Sequence, residues 1–588
     1  MDQMLLEYIR SLIPKDFPDG RKVLQEGIEM GHKIKVPRTK FLEKTGARTY
    51  YEYRKQRLAE GKQTWQILIG LATLEDEIEA LKKLDQWNKD HEEEGMEISA
   101  IQSIPAQIIG LPHEYWDKFP KQTSYEMYNP EDWKAHTNTV PIQCAWQDFH
   151  LACPASLQTT INALEAGTDR LGCFSTLNWD YTGYYDEVNR FSDMVRSLGI
   201  VSTKKDIDLD IVTYPEDGLP GYFMDVVSWF GYEMVEEYIA HQLCGCKFSI
   251  SYGGLLTDVQ LRMAFALAWH KRFSTEDHCA VVYFNGGTVD QIPKTVNCNY
   301  GTGVPEMMMQ VLFNLHYNTP IVISPVSVTE CLRTPSFEEL IDITAAGIRT
   351  EVHAKEWLPL IDWKPIEDLA DVLIEKGTKF YQNVMRYFEA AGVDIKDPLQ
   401  MIMMLRRFEP IKFETSFHPS IQEFGEFRPY CASQLGQTTM EMKENIVADL
   451  QKKGIHMNGE KVVCISADGH SYGLMLIDGV YSAISANVIN GGADVEASAA
   501  LDLADEEGAD IICISAHCGQ ALSYANQIVE LAKERSKKYR IVMGGMLNGL
   551  LPGSELPVDV ADLVKETGVC GTNDFAEQVE YIQTGKMV

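Results

Sequence analysis

The sequence predicts an α/β protein of two domains: a (β/α)8 TIM barrel followed by a smaller parallel sheet of the flavodoxin-like (Rossmann-type) kind. Three observations carry that reading. At 588 residues the chain exceeds the size at which one core usually splits. Apolar runs recur between residues 30 and 330, each about a helix plus loops from the next, which is the cadence of a barrel. Beyond residue 460, short apolar runs again alternate with helical periodicity.

The barrel strands are expected at Lys33–Val36, Glu97–Ile101, Pro141–Ala145, Arg170–Phe174, Asp208–Tyr214, Cys246–Tyr252, Cys279–Phe284 and Pro320–Ser324. Several end in polar or Gly-rich loops, such as Tyr252-Gly253-Gly254 and Phe284-Asn285-Gly286-Gly287. In a barrel, function sits at those strand ends. Residues 1–30 and 60–95 read as peripheral helices. The barrel with its helical extension is assigned 1–407. Irregular Pro, Gly and aromatic content marks 408–459 as a connection. The second domain, 460–588, is expected to carry strands at 461–465, 485–489, 510–514, 540–543 and 568–570, with helices over 497–508 and 522–536.

Composition excludes some functions. The net charge of −32 argues against nucleic acid, whose phosphates need a basic surface. No run approaches eighteen apolar residues, so a membrane span is not expected. Thirteen cysteines with no Cys-x-x-Cys pair read as reduced thiols of a cytoplasmic protein.

The most specific signal lies where the first strand of the second domain ends. Asp468-Gly469-His470-Ser471-Tyr472-Gly473 directly follows an apolar run. Ser515-Ala516-His517 and Gly544-Gly545 close two later runs. In order and spacing these resemble the cobalamin-binding domain shared by carbon-skeleton mutases, some aminomutases and methionine synthase. One departure is His517, where that family has leucine; it is read as a packed histidine, with contact to the cofactor's tail as the alternative. The resemblance makes His470 the lower axial ligand of cobalt, a role suited to a neutral imidazole. Asp468 would accept the other ring N–H and fix the tautomer. Ser515 would bond the displaced base. Gly469, Ser471, Gly473, Gly544 and Gly545 would line the tail.

The first domain resembles, more distantly, the large subunit of adenosylcobalamin-dependent carbon-skeleton mutases of the glutamate mutase type. Gly31 through Pro37-Arg38, Ser251-Tyr252-Gly253-Gly254 and Ile321 through Pro325 with Glu330 carry that likeness. It implies adenosylcobalamin as cofactor, a homo-oligomer, and a small dicarboxylate substrate. Arg38 is read as its carboxylate ligand, against the plain reading of a helix-end arginine. Tyr181 and Tyr185 are candidate hydrogen-bond donors, against core or interface packing. Glu330 would contact the adenosyl ribose. The family's acid facing a substrate amino group has no counterpart near Ser175–Asn178. Within the family this favours the single-chain mutases that convert 2-methyleneglutarate to 3-methylitaconate. A glutamate mutase-like activity and a cobalamin- and pyridoxal-phosphate-dependent aminomutase are the alternatives.

Overall fold

The computed structural model describes residues 2–118, 124–181, 183–286, 291–333, 335–468, 471–492, 495–517, 519–535, 537–549, 551 and 558–587. The chain forms two compact units, residues 1–330 with 335–433, and residues 434–588 with 331–334.

The first unit is built on eight strands: β1 (Gln66–Ile69), β2 (Ala100–Ser103), β3 (Gln143–Trp146), β4 (Arg170–Leu171), β5 (Asp210–Thr213), β6 (Lys247–Tyr252), β7 (Val281–Asn285) and β8 (Val322–Ser324). They pair in parallel and in chain order. The ring nearly closes, because Trp65 bridges Ile323 and the Ile323 N–H donates to the Thr64 carbonyl at 2.9 Å.

Alternation along the strands separates inside from outside. Ala100, Val212, Val282 and Val322 pack inward against Phe41, Ala47, Tyr50 and Tyr53. Those four partners come from two short helices, Lys40–Thr45 and Tyr50–Ala59, and the turn between them. Thr39 and Thr49 cap the two helices by accepting the N–H groups of Leu42 and Glu52. The pair plugs the amino ends of the strands. Thr39 Oγ1 donates to Gln143 Oε1 at 3.0 Å, and Tyr50 OH meets Ser99 Oγ at 3.1 Å.

The first strand is not where the sequence places it. Lys33–Val36 is extended coil, pinned by Lys204 Nζ, which donates to the carbonyls of Gly31 and Ile34 at 2.6 and 2.7 Å. The true β1 lies inside the stretch read as helical. Its four residues are overshadowed by the strong periodicity of the helix Leu74–Asp90 that follows. The other seven strands fall at or beside their expected positions.

The second unit is a five-stranded parallel sheet. Its strands are β9 (Lys461–Ser466), β10 (Asn487–Asn490), β11 (Ile511–Ala516), β12 (Arg540–Gly545) and, at the edge, Cys570–Gly571. The order is β10-β9-β11-β12 and then the edge strand. The chain therefore reverses direction between β9 and β11, the switch point where such sheets take ligands. Val463, Ile465, Ile512, Ile514, Ile541 and Met543 fill the core against helices Ala497–Glu506 and Ala521–Glu534.

The stretch 408–459 holds three helices and divides between the units. Pro410–Phe417 and Pro419–Phe424 belong to the first, and Gln434–Lys452 to the second. The prolines that suggested irregularity occupy first helical turns, where a missing N–H costs nothing. Among the described residues, no helix is long and apolar enough to cross a membrane.

Candidate functional site

The carboxyl edge of the second sheet gathers most of the motif. Register sets Ser515 beside Ser466 on one neighbour and beside Gly544 on the other, with Ala516 beside Gly545. Asp468 lies two residues past β9 and is 4% exposed. Its Oδ2 accepts the backbone N–H of His517 at 2.7 Å, which ties the carboxylate across the switch point. The Ala467 N–H donates to the Ser515 carbonyl at 2.8 Å and holds the same two loops together.

The glycines are explained by close approach. Gly473 sits in the first turn of the helix Ser471–Ala483, and a Cβ there would lie 2.1 Å from Ser515 Oγ. The helix can start this close to β11 only because residue 473 lacks a side chain. Gly545 has φ 98°, a left-handed conformation, and a Cβ would lie 2.4 Å from the Ala516 carbonyl oxygen. Asn573 clamps it, accepting its N–H at 2.7 Å and donating to its carbonyl at 2.9 Å. Gly544 is tighter than an ordinary contact, with Asn573 Oδ1 3.1 Å from a built Cβ. Gly469 and His470 lie outside the described residues, as does the Ser471 side chain.

His517 corrects an expectation. Its side chain is exposed, not packed in the leucine slot. β11 ends at Ala516, so the next side chain projects at the sheet edge while its N–H serves Asp468.

The donor set fits the implied cofactor. A buried carboxylate, a strand-end hydroxyl and three close-approach glycines gather at the carboxyl edge of this sheet. A carboxylate can orient an imidazole, and the glycine-walled edge suits a nucleotide tail.

The barrel revises the substrate residues. Arg38 is at the wrong end. It precedes the plug helix Lys40–Thr45, and its guanidinium donates to the carbonyls of Leu42 at 2.7 Å, Ala47 at 2.5 Å and Arg48 at 3.4 Å. It is a helix-end arginine, drawn into apparent resemblance by the misplaced first strand. Tyr181 does lie at the carboxyl end. It is buried against Gly110, with the Arg190 guanidinium 5.1 Å from its ring centre. Tyr185 is 87% exposed and faces solvent.

Tyr252 points outward from β6, donates to the Arg262 carbonyl at 2.6 Å and packs on Phe265. The Gly-Gly loop after it is already filled. Glu216 accepts the N–H groups of Gly253, Gly254, Leu255 and Leu256 at 2.9–3.1 Å. This nest of donors therefore holds the chain's own carboxylate. Glu330 follows β8 with an exposed side chain, yet protein surrounds the carboxyl closely enough that desolvation pushes it up to about 7. Its accessible surface shows that water reaches it, so the enclosure is open on one side.

Sequence reading missed the residues inside the upper barrel. Gln102 and Ser324 are fully inward by alternation, two positions beyond Ala100 and Val322. Asp148, just past β3, is half-buried by accessible surface but walled by protein, and desolvation alone raises its carboxyl to about 6. The only sequence signal for it was position: an acid two residues beyond a barrel strand.

Comparison with known proteins agrees with the second unit. Residues 461–568 match the family described as B12 binding domain. The chain thus carries a cobalamin-binding domain. A cobalamin-binding protein from Desulfitobacterium hafniense DCB-2, known from its crystal structure, shares 17% identity over 37% of this chain and 92% of its own, with a TM-score of 0.19. That superposition is too poor to add to the fold. No curated protein matches the chain.

Proposed function

We propose that this protein is an adenosylcobalamin-dependent radical isomerase that rearranges a small carboxylic acid inside the barrel. The supporting observation is the union, in one chain, of a cobalamin-binding domain and a nearly closed parallel barrel whose carboxyl half has a polar interior. When bound, adenosylcobalamin supplies a carbon radical by homolysis of its cobalt–carbon bond. The chain's own task is to hold the corrinoid, anchor the acid and exclude water. His470 is the proposed cobalt ligand, Asp468 its positioning residue, and Ser515 with Gly473, Gly544 and Gly545 the lining of the tail site. Glu330 is the proposed ribose contact. No strong acid or base is needed for such a rearrangement.

The substrate reading shifts with the structure. The preference for 2-methyleneglutarate leaned on Arg38 as a clamp and on a missing acid. Arg38 donates to carbonyls at a helix end, and Asp148 is an acid in the turn two residues beyond β3. Glutamate and other amino acids therefore stand ahead of it.

The test is reconstitution with adenosylcobalamin in the dark without oxygen. 2-Methyleneglutarate and glutamate are offered separately and isomer formation is followed by NMR. Cob(II)alamin in the wild type is expected to show nitrogen splitting in its EPR spectrum, altered in His470→Gly. Failure to take up corrinoid, or methyl exchange from methylcobalamin with no rearrangement, would overturn the proposal.

A further inference from the structure

The second sheet presents two unlike faces to its helices. One is aliphatic: Val463, Ile465, Ile512 and Ile514 meet the helices Ala497–Glu506 and Ala521–Glu534. Alternation turns the residues between them to the other face. There, one rung crosses the sheet as Asn490, Cys464, Cys513, Val542 and Cys570. Cys464 and Cys513 stand directly opposite each other on β9 and β11, both reduced and fully buried.

Polar groups cover this pair. The helix Ser471–Ala483 supplies Asp478 and Tyr481. Asp478 accepts from Asn490 Nδ2 and lies against the Cys464 thiol. The Tyr481 phenol donates to Gln578 Oε1 at 2.8 Å and reaches Cys513. Cysteines serving only as small apolar filler need no such lining.

The spacing suits a bond. Neighbouring strands lie about 4.8 Å apart, inside the roughly 4.4–6.8 Å that a disulfide spans between Cα atoms. Its Cβ atoms stand about 3.8 Å apart, so closing the bond draws β9 and β11 together by up to about 1 Å. A bond closed under such strain is readily reduced again. The shift falls two residues before Ser466 and Ser515, at the edge that carries Asp468. That edge has no slack, because the helix Ser471–Ala483 passes Ser515 so closely that only glycine fits at 473.

Burial pushes the Cys464 thiol well up, so the covered pair is a poor nucleophile. Access requires the helix above it to open locally. We propose that Cys464 and Cys513 form a reversible disulfide when hydrogen peroxide reaches them, and that the closed bond bars corrinoid from the sheet edge. One sulfur attacks the peroxide, the O–O bond breaks, and a sulfenic acid and one water result. The second sulfur then displaces the sulfenic oxygen as a second water. The thiols lose two electrons, which the peroxide takes up, and their two protons leave in the waters. The effect on corrinoid rests on the cobalamin reading; the bond itself does not.

The experiment treats the reduced, corrinoid-free full chain with hydrogen peroxide and alkylates the remaining thiols. Cross-links are mapped by mass spectrometry after cleavage at acidic residues. A linked Cys464–Cys513 pair is expected. Uptake of adenosylcobalamin in the dark, read from the absorbance of retained corrinoid, should fall at least tenfold and return with dithiothreitol. Cys464→Ser should take up corrinoid as the reduced wild type does and lose its sensitivity to peroxide. Should that variant not fold, Cys513→Ser repeats the test, and the wild-type map stands without either. The proposal is overturned if no such link forms, if the link joins another cysteine such as Cys518, which lies outside the described residues, or if the linked protein takes up corrinoid as before. Should the reduced wild type take up no corrinoid, the cobalamin reading falls instead, while the map still decides the bond.

Discussion

Gln143 and Gln102 sit on adjacent strands of one barrel, both inward, and have opposite surroundings. Gln143, at the amino end, uses both amide atoms: Oε1 accepts from Thr39 and Nε2 donates to Asp169 at 2.8 Å. Gln102, at the carboxyl end, has no partner for Oε1 among the described residues. Packing differs in the same sense. Phe41 and Tyr50 are each 1% exposed in the plug, while Leu68 above them is half-buried. The amino end is not perfect: Arg54 Nε, and Gln66 Nε2 and Arg170 Nη2 on the first residues of β1 and β4, meet no partner among the described residues. Even so, the contrast separates polar residues that complete the fold from those left for a ligand. Residue type alone does not make that distinction.

The contrast breaks most readily at the plug. Tyr50→Ala should lower stability by about 3–5 kcal/mol, the usual range for removing a buried aromatic. It also strips the ring from beneath Arg170. Urea unfolding followed by circular dichroism measures it. A loss below about 1 kcal/mol would mean the amino end tolerates a void as the carboxyl end does.

A second substitution asks whether the glycines of the sheet edge serve fold or ligand. Gly545→Ala forces φ 98° on an L-residue and drives a methyl into the Ala516 carbonyl. The backbone part alone costs about 1–3 kcal/mol. The loss is expected in corrinoid-free protein too. If stability changes only when corrinoid is present, the glycine answers to the cofactor.

Three raised acids sharpen the comparison between dry and water-reached burial. Asp148 is reached by water, whereas Glu233 and Glu236, on the outer helix Val226–Glu237, are wholly buried. Burial pushes the Glu236 carboxyl up to about 8, and Thr213 donates to its Oε2. A raised carboxyl means the folded state holds a proton that the unfolded state releases. Stability from this group is therefore full below the ordinary carboxyl value of 4.5 and is lost as pH climbs toward about 8. Glu236→Gln should flatten that slope in unfolding midpoints taken from pH 5 to 8. An unchanged slope would assign it elsewhere.

The same contrast explains what was readable in the sequence. Both sheets were legible, because seven barrel strands and all five of the second sheet are apolar runs at regular spacing. The cobalamin motif was legible because its residues lie at strand ends in fixed order. What failed was the first strand. Lys33-Ile34-Lys35-Val36 alternates as a strand does, but its Ile34 carbonyl, like that of Gly31 just before it, is taken by Lys204. That error carried Arg38 to the wrong end of the barrel. The upper barrel interior was illegible for a different reason. Gln102, Gln147 and Asp148 carry no motif, and nothing in one sequence tells which glutamine finds a partner.

Arg38→Ala tests the corrected placement. It removes donors to the carbonyls of Leu42, Ala47 and Arg48. A loss of about 1 kcal/mol is expected, with KM for any turned-over substrate unchanged. A raised KM at constant stability would restore Arg38 to the substrate.

The smallest expected effect has the opposite sign. Ser324 is fully buried, and its hydroxyl meets no partner among the described residues. In a structural core, replacing it by Ala would relieve an unmet polar group and raise the urea midpoint by up to about 1 kcal/mol in substrate-free protein. In an interior that holds a ligand the same change also weakens substrate binding. The two readouts must therefore diverge: the free protein as stable or more so, the complex weaker. Parallel loss of both would show that Ser324 already has a structural partner. Parallel gain would show that nothing polar binds there, and the difference between the barrel's two ends would reduce to packing alone.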